Sequence, residues 1–503
     1  MTPPTPSETL LQAIHHYNEG DMVQAGQLAQ TLFNQNPEQA EVVHLLGMVA
    51  SRTGRLDLAA RLLMAAVDLQ PQQPHYRLHL GELYGKQGND EAAEGQYRQA
   101  IRLKPDFVHA HVNLGNLCFS RGERAQAMAA YQTATQLDPK THIAWYNMGI
   151  IAQEESDHER ALHCFEQALR AAPEVALTHT ARAFSLLATG RFLEGWQEYE
   201  WRWQLPDNLP RRTAQPRWEG SDPRGKRLYL CTEQGFGDAL LFVRYLKQLR
   251  AQGAHLILEC KPELLNLFQT SQLADQMVAR ADDDQTPPAF VFDYHLPLLS
   301  LPAIPGMFAA PHPTLPESVP YLTADPDLCA QWQNRLRHLP GLRVALCWSG
   351  NPETGVNRYR AAPFAAFLPL VQMEGISFVS IQKGRPTQEL HQHPEGAQVW
   401  DLSAHLTDFA QTAALLTQVD LLISTDTAVV HLAGALGRPV WTLLHTAAEW
   451  RWLQHRSDSP WYPSMQLFRQ QVPGDWVGVI LSVEEALRLR KKQKNHRLEH
   501  SHG

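Results

Sequence analysis

The hydrophobic pattern of the first two-fifths of the chain repeats every 34 residues. Small residues recur at two fixed points of this period, at Gly47, Gly81, Gly115, Gly149 and Ala183 and at Ala59, Ala93, Ala127, Ala161 and Gly195. Bulky residues recur at Leu63, Tyr97, Tyr131, Phe165 and Tyr199, and prolines close the units at Pro37, Pro71, Pro105, Pro139 and Pro173. Small residues let two helices approach closely, and proline cannot continue a helix. The period therefore predicts an α-solenoid of about six stacked helix pairs over residues 1–205.

The sixth unit departs from this pattern. Arg182 and Arg202 replace the usual leucine and alanine, and the unit ends in the aromatic run G-W-Q-E-Y-E-W-R-W at 195–203. A terminal repeat has no successor to stack on, so a capping or docking role is expected. Two interpretations of the rings stay open: they fasten the array to the next domain, or they complete the core of their own repeat.

After a linker rich in Pro, Arg and Gly at 206–226, short apolar strands alternate with helices. The expected strands are 227–232, 255–259, 289–292, 342–348, 377–381, 420–424 and 439–444, with helices at 239–252 and 328–336. This alternation predicts α/β structure with parallel sheets and right-handed crossovers. We expect two Rossmann-like lobes facing a cleft, at 227–340 and 341–490, and a basic tail at 491–503.

Composition narrows the class of protein. The 503 residues are 44% hydrophobic and 19% charged, which fits a folded chain of about three domains. The net charge of -8 argues against nucleic-acid binding. No apolar run approaches the roughly 18 residues of a transmembrane helix. Six cysteines without a C-x-x-C pair, and an N-terminus without a secretion signal, predict a cytoplasmic protein with reduced thiols.

Three turns that follow predicted strands carry candidate functional residues. The first is E-Q-G-F-G-D at 233–238, where Gln234 and Gly237 are candidate acceptor contacts and Asp238 opens a helix. Glycine there allows close backbone approach, and ligands bind at this edge of a parallel sheet. On this fragment alone, a helix cap is the better explanation of Asp238.

The second turn contains Asp426, Thr427 and His431. Thr427 and His431 are four residues apart and therefore share one helix face. Free N–H groups and the helix dipole at such a start suit a diphosphate. The alternative is helix capping by Asp426 or its neighbours, with His431 as an ordinary core histidine.

The third region supplies further candidates for binding an anionic donor, namely Trp348, Gly350, Asn351, Arg358, Arg360, Gln382 and Lys383. Two arginines near a strand end are suited to clamp phosphate oxygens bidentately. A solvated loop and plain surface charge are the alternatives.

Together, these motifs resemble the family-9 glycosyltransferases, which include bacterial ADP-heptose:lipopolysaccharide heptosyltransferases. The 34-residue period is similar to the tetratricopeptide repeat, and the chain resembles bacterial proteins that fuse such repeats to this transferase. The resemblance covers nearly the whole chain and is carried by the aromatic junction (195–203), E-Q-G-F-G-D (233–238), W-S-G-N (348–351), S-I-Q-K-G (380–384), D-T-A-V-V-H-L-A-G-A-L-G-R-P-V (426–440), E-W-R-W (449–452) and D-S-P-W-Y-P (458–463).

The resemblance implies a GT-B fold with a nucleotide-sugar donor in the C-terminal lobe and no obligatory metal or cofactor. It makes Asp238 the acceptor-side base and matches Asp426, Thr427 and His431 to the family's D-T-x-x-x-H signature. Ala428 stands where the heptosyltransferases have glycine, and Ala361 stands where close relatives often have serine, so donor identity is not carried over. The acidic run at 282–284 looks like a D-x-D metal motif, but its loop context argues against metal binding.

Asn113 and Asn147 occupy the same point of successive repeats, on the helix expected to line the concave face. Similarly placed asparagines hold peptide backbone in the repeat arrays of protein O-GlcNAc transferases, since an amide pairs with both N–H and C=O. Ordinary helix-surface polarity is the alternative, because only these two repeats carry the residue.

The sequence therefore predicts a cytoplasmic, inverting, metal-independent glycosyltransferase whose repeats select a protein or peptide acceptor. One alternative is an adaptor with a catalytically silent transferase domain. Another is a transferase acting on a lipid-linked or surface glycan, with the repeats serving localisation.

Overall fold

The computed structural model describes residues 5–206, 208, 213–280, 288–307, 319–353 and 357–501, without the side chains of Arg358 and of 495–501. The acidic run at 282–284 lies outside the described residues. The chain forms two compact units, 1–178 and 179–503, which are described separately. Among the described residues, no helix combines the length and apolar character needed to cross a bilayer.

The first unit is built from consecutive helix pairs, which confirms the prediction from the 34-residue period. Its helices are α1 (Pro6–Asn18), α2 (Met22–Gln35), α3 (Ala40–Arg52), α4 (Leu56–Leu69), α5 (Pro74–Lys86), α6 (Asp90–Leu103), α7 (Val108–Ser120), α8 (Arg124–Leu137), α9 (His142–Glu154) and α10 (His158–Ala171). Each odd-numbered helix packs on the next even-numbered one, and α1, α3, α5 and α7 contact one another in sequence. The first helices of the pairs therefore share one face of the unit.

The small and bulky residues of the period meet directly inside each helix pair. A side-chain carbon added to Gly81 would lie 2.6 Å from the ring of Tyr97, and one added to Gly115 would lie 2.6 Å from the ring of Tyr131. Real Cβ atoms essentially never lie this close to other atoms. The fixed glycines are therefore needed for the close approach of the two helices.

The turn inside each pair places one residue at positive φ, at the same point of the 34-residue period. Glycine fills this position at Gly20, Gly54, Gly88 and Gly122, with φ between 74° and 85°. In the fifth pair the position is Ser156, with φ 61°. A left-handed conformation strains a residue with a side chain but not glycine.

The second unit begins within α11 (Ala176–Ala188) and continues with α12 (Phe192–Tyr199). The predicted array extends to residue 205, whereas residues 179–205 pack with the α/β lobes. The indole of Trp196 lies 5.3 Å from the ring of Phe242 and 5.1 Å from that of Trp450. The aromatic run thus contacts the lobes that follow it, as the first of its two interpretations expected.

The first lobe is a parallel sheet of order β3-β2-β1-β4. Its elements are β1 (Arg227–Cys231), α13 (Phe236–Phe242), α14 (Leu246–Ala251), β2 (His255–Cys260), α15 (Pro262–Thr270), β3 (Gln276–Ala279) and β4 (Tyr294–Pro297). The strand expected at 289–292 is wrong, because Phe290 and Phe292 pack on Tyr229 instead and β4 begins at Tyr294. The predicted linker is partly structured, since Trp218 is buried. The backbone N–H of Trp218 donates to the backbone carbonyl of His295 at 2.9 Å.

The second lobe is a parallel sheet of order β10-β9-β8-β5-β6-β7. Its strands are β5 (Leu342–Cys347), β6 (Ile376–Ser380), β7 (Val399–Asp401), β8 (Leu421–Thr425), β9 (Val440–Leu444) and β10 (Met465–Arg469). Its helices are α16 (Pro326–Leu336), α17 (Asn357–Arg360), α18 (Leu368–Val371), α19 (Glu389–Gln392), α20 (Phe409–Thr417), α21 (Ala428–Ala435) and α22 (Trp476–Ser501). Strand order reverses between β5 and β8, and open parallel sheets bind ligands at such a switch point.

The expected fold class is confirmed: repeat helices precede two parallel α/β lobes, which are consistent with the GT-B type. The predicted basic tail is largely helical, because α22 continues to Ser501. Lys494 in this segment donates to Asp420 at 2.7 Å. The start of the tail therefore packs on the second lobe.

The fifth turn gives a prediction about stability. Ser156→Gly removes left-handed strain and is expected to raise the free energy of unfolding by about 1 kcal/mol. The reciprocal change at the equivalent position, Gly122→Ser, is expected to lower it by a similar amount. Urea unfolding followed by circular dichroism measures both, and equal midpoints for the two variants would contradict the expectation.

Candidate active site

A cavity of about 680 Å³ lies at the carboxyl ends of β1, β5 and β8 in the second unit. This volume is within the usual range for small-molecule sites. Most residues singled out from the sequence in this unit line it, namely Gln234, Gly237, Asp238, Gly350, Asn351, Arg360, Gln382, Lys383, Asp426, Thr427 and His431. Phe184, Trp196 and Tyr199 from α11 and α12 also line it.

Asp238 lies in the first turn of α13, directly after the glycine-containing turn. Its Oδ2 accepts a hydrogen bond from the Gly235 N–H at 3.2 Å, and its Oδ1 forms an ion pair with Arg451. The capping alternative is therefore observed at one oxygen, while the other faces a cation of the opposite lobe. A catalytic role for Asp238 stays a prediction.

Asp426 and Thr427 end β8 and lead into α21. Asp426 is 5% exposed, and its Oδ2 has no hydrogen-bond partner among the described residues. Arg360 Nε lies 3.7 Å from that oxygen. Thr427 precedes the first turn of α21, where backbone N–H groups point out of the helix. A buried carboxylate, a guanidinium and a helix start therefore meet on the donor side.

His431 lies on α21 beneath the acceptor-side turn. Its Nδ1 is 3.1 Å from the Tyr462 hydroxyl, and its ring stacks on Trp452 with centroids 5.2 Å apart. Burial lowers the pKa of His431 to about 4, although Asp426 opposes the shift. The imidazole is thus neutral near pH 7. Its packing agrees with the core-histidine alternative, although it also lines the cavity.

The loop after β5 is held by side chains from two neighbouring segments. Gln382 Oε1 accepts from the N–H groups of Trp348 at 3.0 Å and Ser349 at 2.9 Å. Asn357 Oδ1 accepts from the Gly350 N–H at 2.9 Å. The side-chain oxygen of Gln382 therefore bonds to the loop, and Gln382 acts by positioning the loop.

Trp348 does not line the cavity. Its ring is fully buried and packs on Phe364, with centroids 4.9 Å apart. The ring of Trp348 follows the apolar strand β5 and packs in the core behind the loop. The direct contact between Trp348 and the donor that the sequence predicted does not fit this position. Cys347 beside it lines the cavity, and burial raises the pKa of its thiol.

The remaining donor-side candidates are more exposed. Lys383 is exposed, and its Nζ donates to the Leu406 carbonyl. Asn351 Oδ1 accepts from the Glu353 N–H at 3.1 Å. Arg358 belongs to the short α17, and its side chain lies outside the described part of the structure.

Asn113 and Asn147 belong to the first unit, on α7 and α9. Asn113 Nδ2 donates to Glu82 Oε1 at 2.9 Å, and Asn147 Nδ2 donates to Asn116 Oδ1 at 2.8 Å. Each amide thus bonds to a side chain on the first helix of the preceding pair. The two asparagines occupy equivalent places in the unit, as their 34-residue spacing requires.

Sequence reasoning missed two charged residues of the cavity wall, Glu449 and Arg451. Arg451 forms ion pairs with Asp238 and Glu449, and Glu449 forms a second one with Arg360. Burial lowers the pKa of Arg451 to about 10, so it remains a cation at neutral pH. The motif E-W-R-W at 449–452 was recognisable, but nothing in its sequence identified the partners of its charges.

The degenerate last repeat, for which the sequence predicted a capping or docking role, makes contacts whose partners the sequence did not identify. Arg202 is 1% exposed and donates to Glu200 at 2.6 Å, to Glu233 at 2.8 Å and to Ser300 at 2.8 Å. Gln234 also donates to the Tyr199 hydroxyl. The end of the repeat therefore anchors the turn that carries Asp238. The arginine substitution was the available signal.

Across the described residues, no three His, Cys, Asp or Glu side chains converge as a metal site requires. All six cysteines are described, and none is disulfide-bonded.

Comparison with known proteins places two kinds of module in this chain. The family described as glycosyltransferase family 9 (heptosyltransferase) matches residues 327–471. Tetratricopeptide-repeat families match residues 40–73, 74–107, 115–155 and 142–175. The first family match thus covers most of the second lobe, and the others cover the first unit.

Protein FlbA of Caulobacter vibrioides is 32% identical over 341 residues, which are 63% of this chain and 55% of FlbA. The chain thus spans about half the length of this curated relative. Among solved structures, MamA aligns at 22% identity and a TM-score of 0.30, covering 33% of this chain and 96% of MamA. PilW, a type IV pilus biogenesis factor, aligns at 15% identity and a TM-score of 0.37, covering 42% and 96%.

The buried His431 gives a prediction about pH dependence. Its pKa is about 4 when folded and about 6.5 when unfolded, so the unfolded chain binds more protons between these values. Stability is therefore lost as the pH falls from 6.5 to 4, by up to about 3 kcal/mol from this residue.

In His431→Gln this contribution disappears, and the plot of unfolding free energy against pH becomes shallower. Urea unfolding at several pH values measures the slope, with His391→Gln at an exposed position as control. An unchanged slope in His431→Gln would contradict the assignment.

Proposed function

We propose that this chain, which contains tetratricopeptide repeats and a family-9 glycosyltransferase domain, transfers a sugar from a nucleotide-sugar donor to a hydroxyl of a protein or peptide. One observation carries the proposal. Asp238 of the first lobe and the anion-binding groups around Thr427 of the second lobe line the same cavity. Sugar transfer needs such a pair, a base for the acceptor and a cradle for the leaving diphosphate.

The donor diphosphate binds on the second lobe in this proposal. The start of α21 at Thr427 offers free N–H groups and the positive end of the helix dipole. Arg360 supplies a guanidinium suited to two phosphate oxygens, and Lys383 lies on the same wall. These groups stabilise the departing charge without a metal ion.

Asp238 acts as the general base on the acceptor side. It takes the proton of the acceptor hydroxyl while that oxygen bonds to the anomeric carbon of the sugar. The bond from this carbon to the phosphate oxygen breaks, and its electron pair leaves with the diphosphate. In this proposal the hydroxyl attacks the face of the sugar opposite the departing diphosphate. The configuration at the anomeric carbon is therefore inverted.

The repeat unit selects the acceptor in this proposal. Asn113 and Asn147 present amides at equivalent points of neighbouring repeats, and an amide recognises peptide backbone regardless of side chain. Recognition of this kind tolerates many acceptor sequences. The face shared by the first helices of the pairs, which carries both asparagines, is the proposed binding surface.

Asp238→Asn tests the role of the base. Transfer is expected to fall by about a hundredfold to ten-thousandfold, because the amide cannot accept the proton. Donor binding is expected to survive, since the diphosphate groups are untouched. A panel of nucleotide sugars is first screened by thermal shift, because a bound donor raises the melting temperature. Transfer from the stabilising donor to peptide acceptors is then measured.

Asp222→Asn is the control, because it makes the same chemical change in an exposed pair with Arg224. Full transfer by Asp238→Asn would remove its proposed role. An absence of any stabilising donor across the panel would favour the adaptor alternative.

A further inference from the structure

Five side chains of alternating charge form a chain across the cavity. Asp238 pairs with Arg451, Arg451 pairs with Glu449, and Glu449 pairs with Arg360. Arg360 Nε then lies 3.7 Å from Asp426 Oδ2. The chain joins the proposed base on one lobe to the proposed diphosphate site on the other. Glu449 stands in the middle and holds both arginines.

The arginines and Glu449 differ in how firmly they are held. The backbone of Arg451 is fixed by two neighbouring buried indoles, Trp450 and Trp452, and its carbonyl accepts from Trp461 Nε1 at 2.6 Å. The side chain of Arg451 is 10% exposed, whereas that of Glu449 is 32% exposed. Glu449 directly precedes the short helical turn at 450–452. Its carboxylate is the more exposed of the two partners, and an incoming anion can therefore replace it.

Both arginines keep an unused donor. The Nε atoms of Arg360 and Arg451 are buried and make no hydrogen bond within the described part of the chain. A buried N–H without a partner is costly, and an incoming oxyanion would satisfy it. Arg360 and Arg451 can therefore donate to more anionic oxygen atoms than Glu449 alone supplies.

The charge balance points in the same direction. Two arginines face three carboxylates in this chain of five side chains, which leaves one net negative charge. A diphosphate entering beside Glu449 would be repelled by the Glu449 carboxylate. Departure of Glu449 removes that repulsion and leaves each guanidinium with only one carboxylate neighbour in the chain.

We infer that the Glu449 carboxylate competes with the donor diphosphate for Arg360 and Arg451. Arg451 is then a second diphosphate-binding residue, which Glu449 occupies until the donor binds. The inference rests on the proposed function, because it deepens the assignment of the same cavity. Diphosphate displaces the Glu449 carboxylate and bridges Arg360 and Arg451. Arg451 then shares its charge with the diphosphate, so its hold on Asp238 weakens and the base is released. The donor therefore binds before the acceptor hydroxyl is activated.

Calorimetric binding of inorganic pyrophosphate and of ADP, UDP and GDP to the full chain tests the inference. Glu449→Gln is expected to bind pyrophosphate about tenfold more tightly, because the competing charge is gone while the shape is kept. Arg451→Lys is expected to bind about tenfold more weakly, because an ammonium cannot hold two phosphate oxygens bidentately as a guanidinium does. Glu194→Gln, in a surface pair with Arg191, makes the same charge change and is the control. All titrations use one ionic strength.

The outcomes separate the inference from the proposed function. If pyrophosphate binds the wild-type chain and Glu449→Gln binds it no more tightly than Glu194→Gln does, the inference is overturned while the proposed function stands. Wild-type affinity in Arg451→Lys would overturn it independently, whether or not Glu449→Gln folds. If neither pyrophosphate nor any of the nucleoside diphosphates binds any variant, the assignment of a donor site fails, and the inference fails with it.

Discussion

The cavity depends on a close approach between the two lobes at Gly237 and His431. A side-chain carbon at Gly237 would lie 2.9 Å from His431 Cδ2, so only glycine lets the turn after β1 rest on α21. Through this contact the helix that begins near Asp238 packs on the helix that begins after Thr427. The proposed base and the proposed diphosphate-binding groups line one cavity because Gly237 places no side chain at the point of contact. The neutral imidazole suits this place, since it adds no charge beneath the turn.

Buried arginines join the parts that this contact brings together. Arg202 links the degenerate repeat to the first lobe through Glu233. Arg244, which is 3% exposed, links the first lobe to the second through Tyr321 and the Trp461 carbonyl, each at 3.2 Å. Arg451 links the second lobe back to Asp238. A buried charge is costly without partners, so each arginine favours the arrangement of elements that brings its partners to it. These residues specify the geometry of the cavity more than they stabilise the fold.

The sequence predicted what depends on local pattern. The 34-residue period located the helix pairs, and the strand–turn–helix motifs placed Asp238, Asp426 and Thr427 at sheet edges that line the cavity. It failed where long-range packing decides. The apolar residues at 289–292 looked like a strand, yet their rings pack on Tyr229 outside the sheet.

The charged wall of the cavity shows the same limit more sharply. Arg451 and Asp238 are 213 positions apart in sequence, and only the folded lobes bring them together. The strand β7 (Val399–Asp401) was missed because it is short and two of its three residues are exposed. Local periodicity carries no signal for either feature, since both depend on which elements become neighbours.

In the last repeat, the residue that departs from the 34-residue pattern makes contacts that the earlier repeats lack. Earlier units bury alanine or, in the first pair, leucine at the position of Arg202, so a guanidinium here replaces an apolar packing residue. Glu200 of the same segment satisfies one of its ends, and the other end needs Glu233 from the turn after β1. The unit therefore cannot complete its own core without the first lobe. In turn, Arg202 stabilises the first lobe by holding Glu233, which lies in the turn that precedes Asp238. The arginine that ends the repeat pattern thus also attaches the array's last helices to the candidate active site.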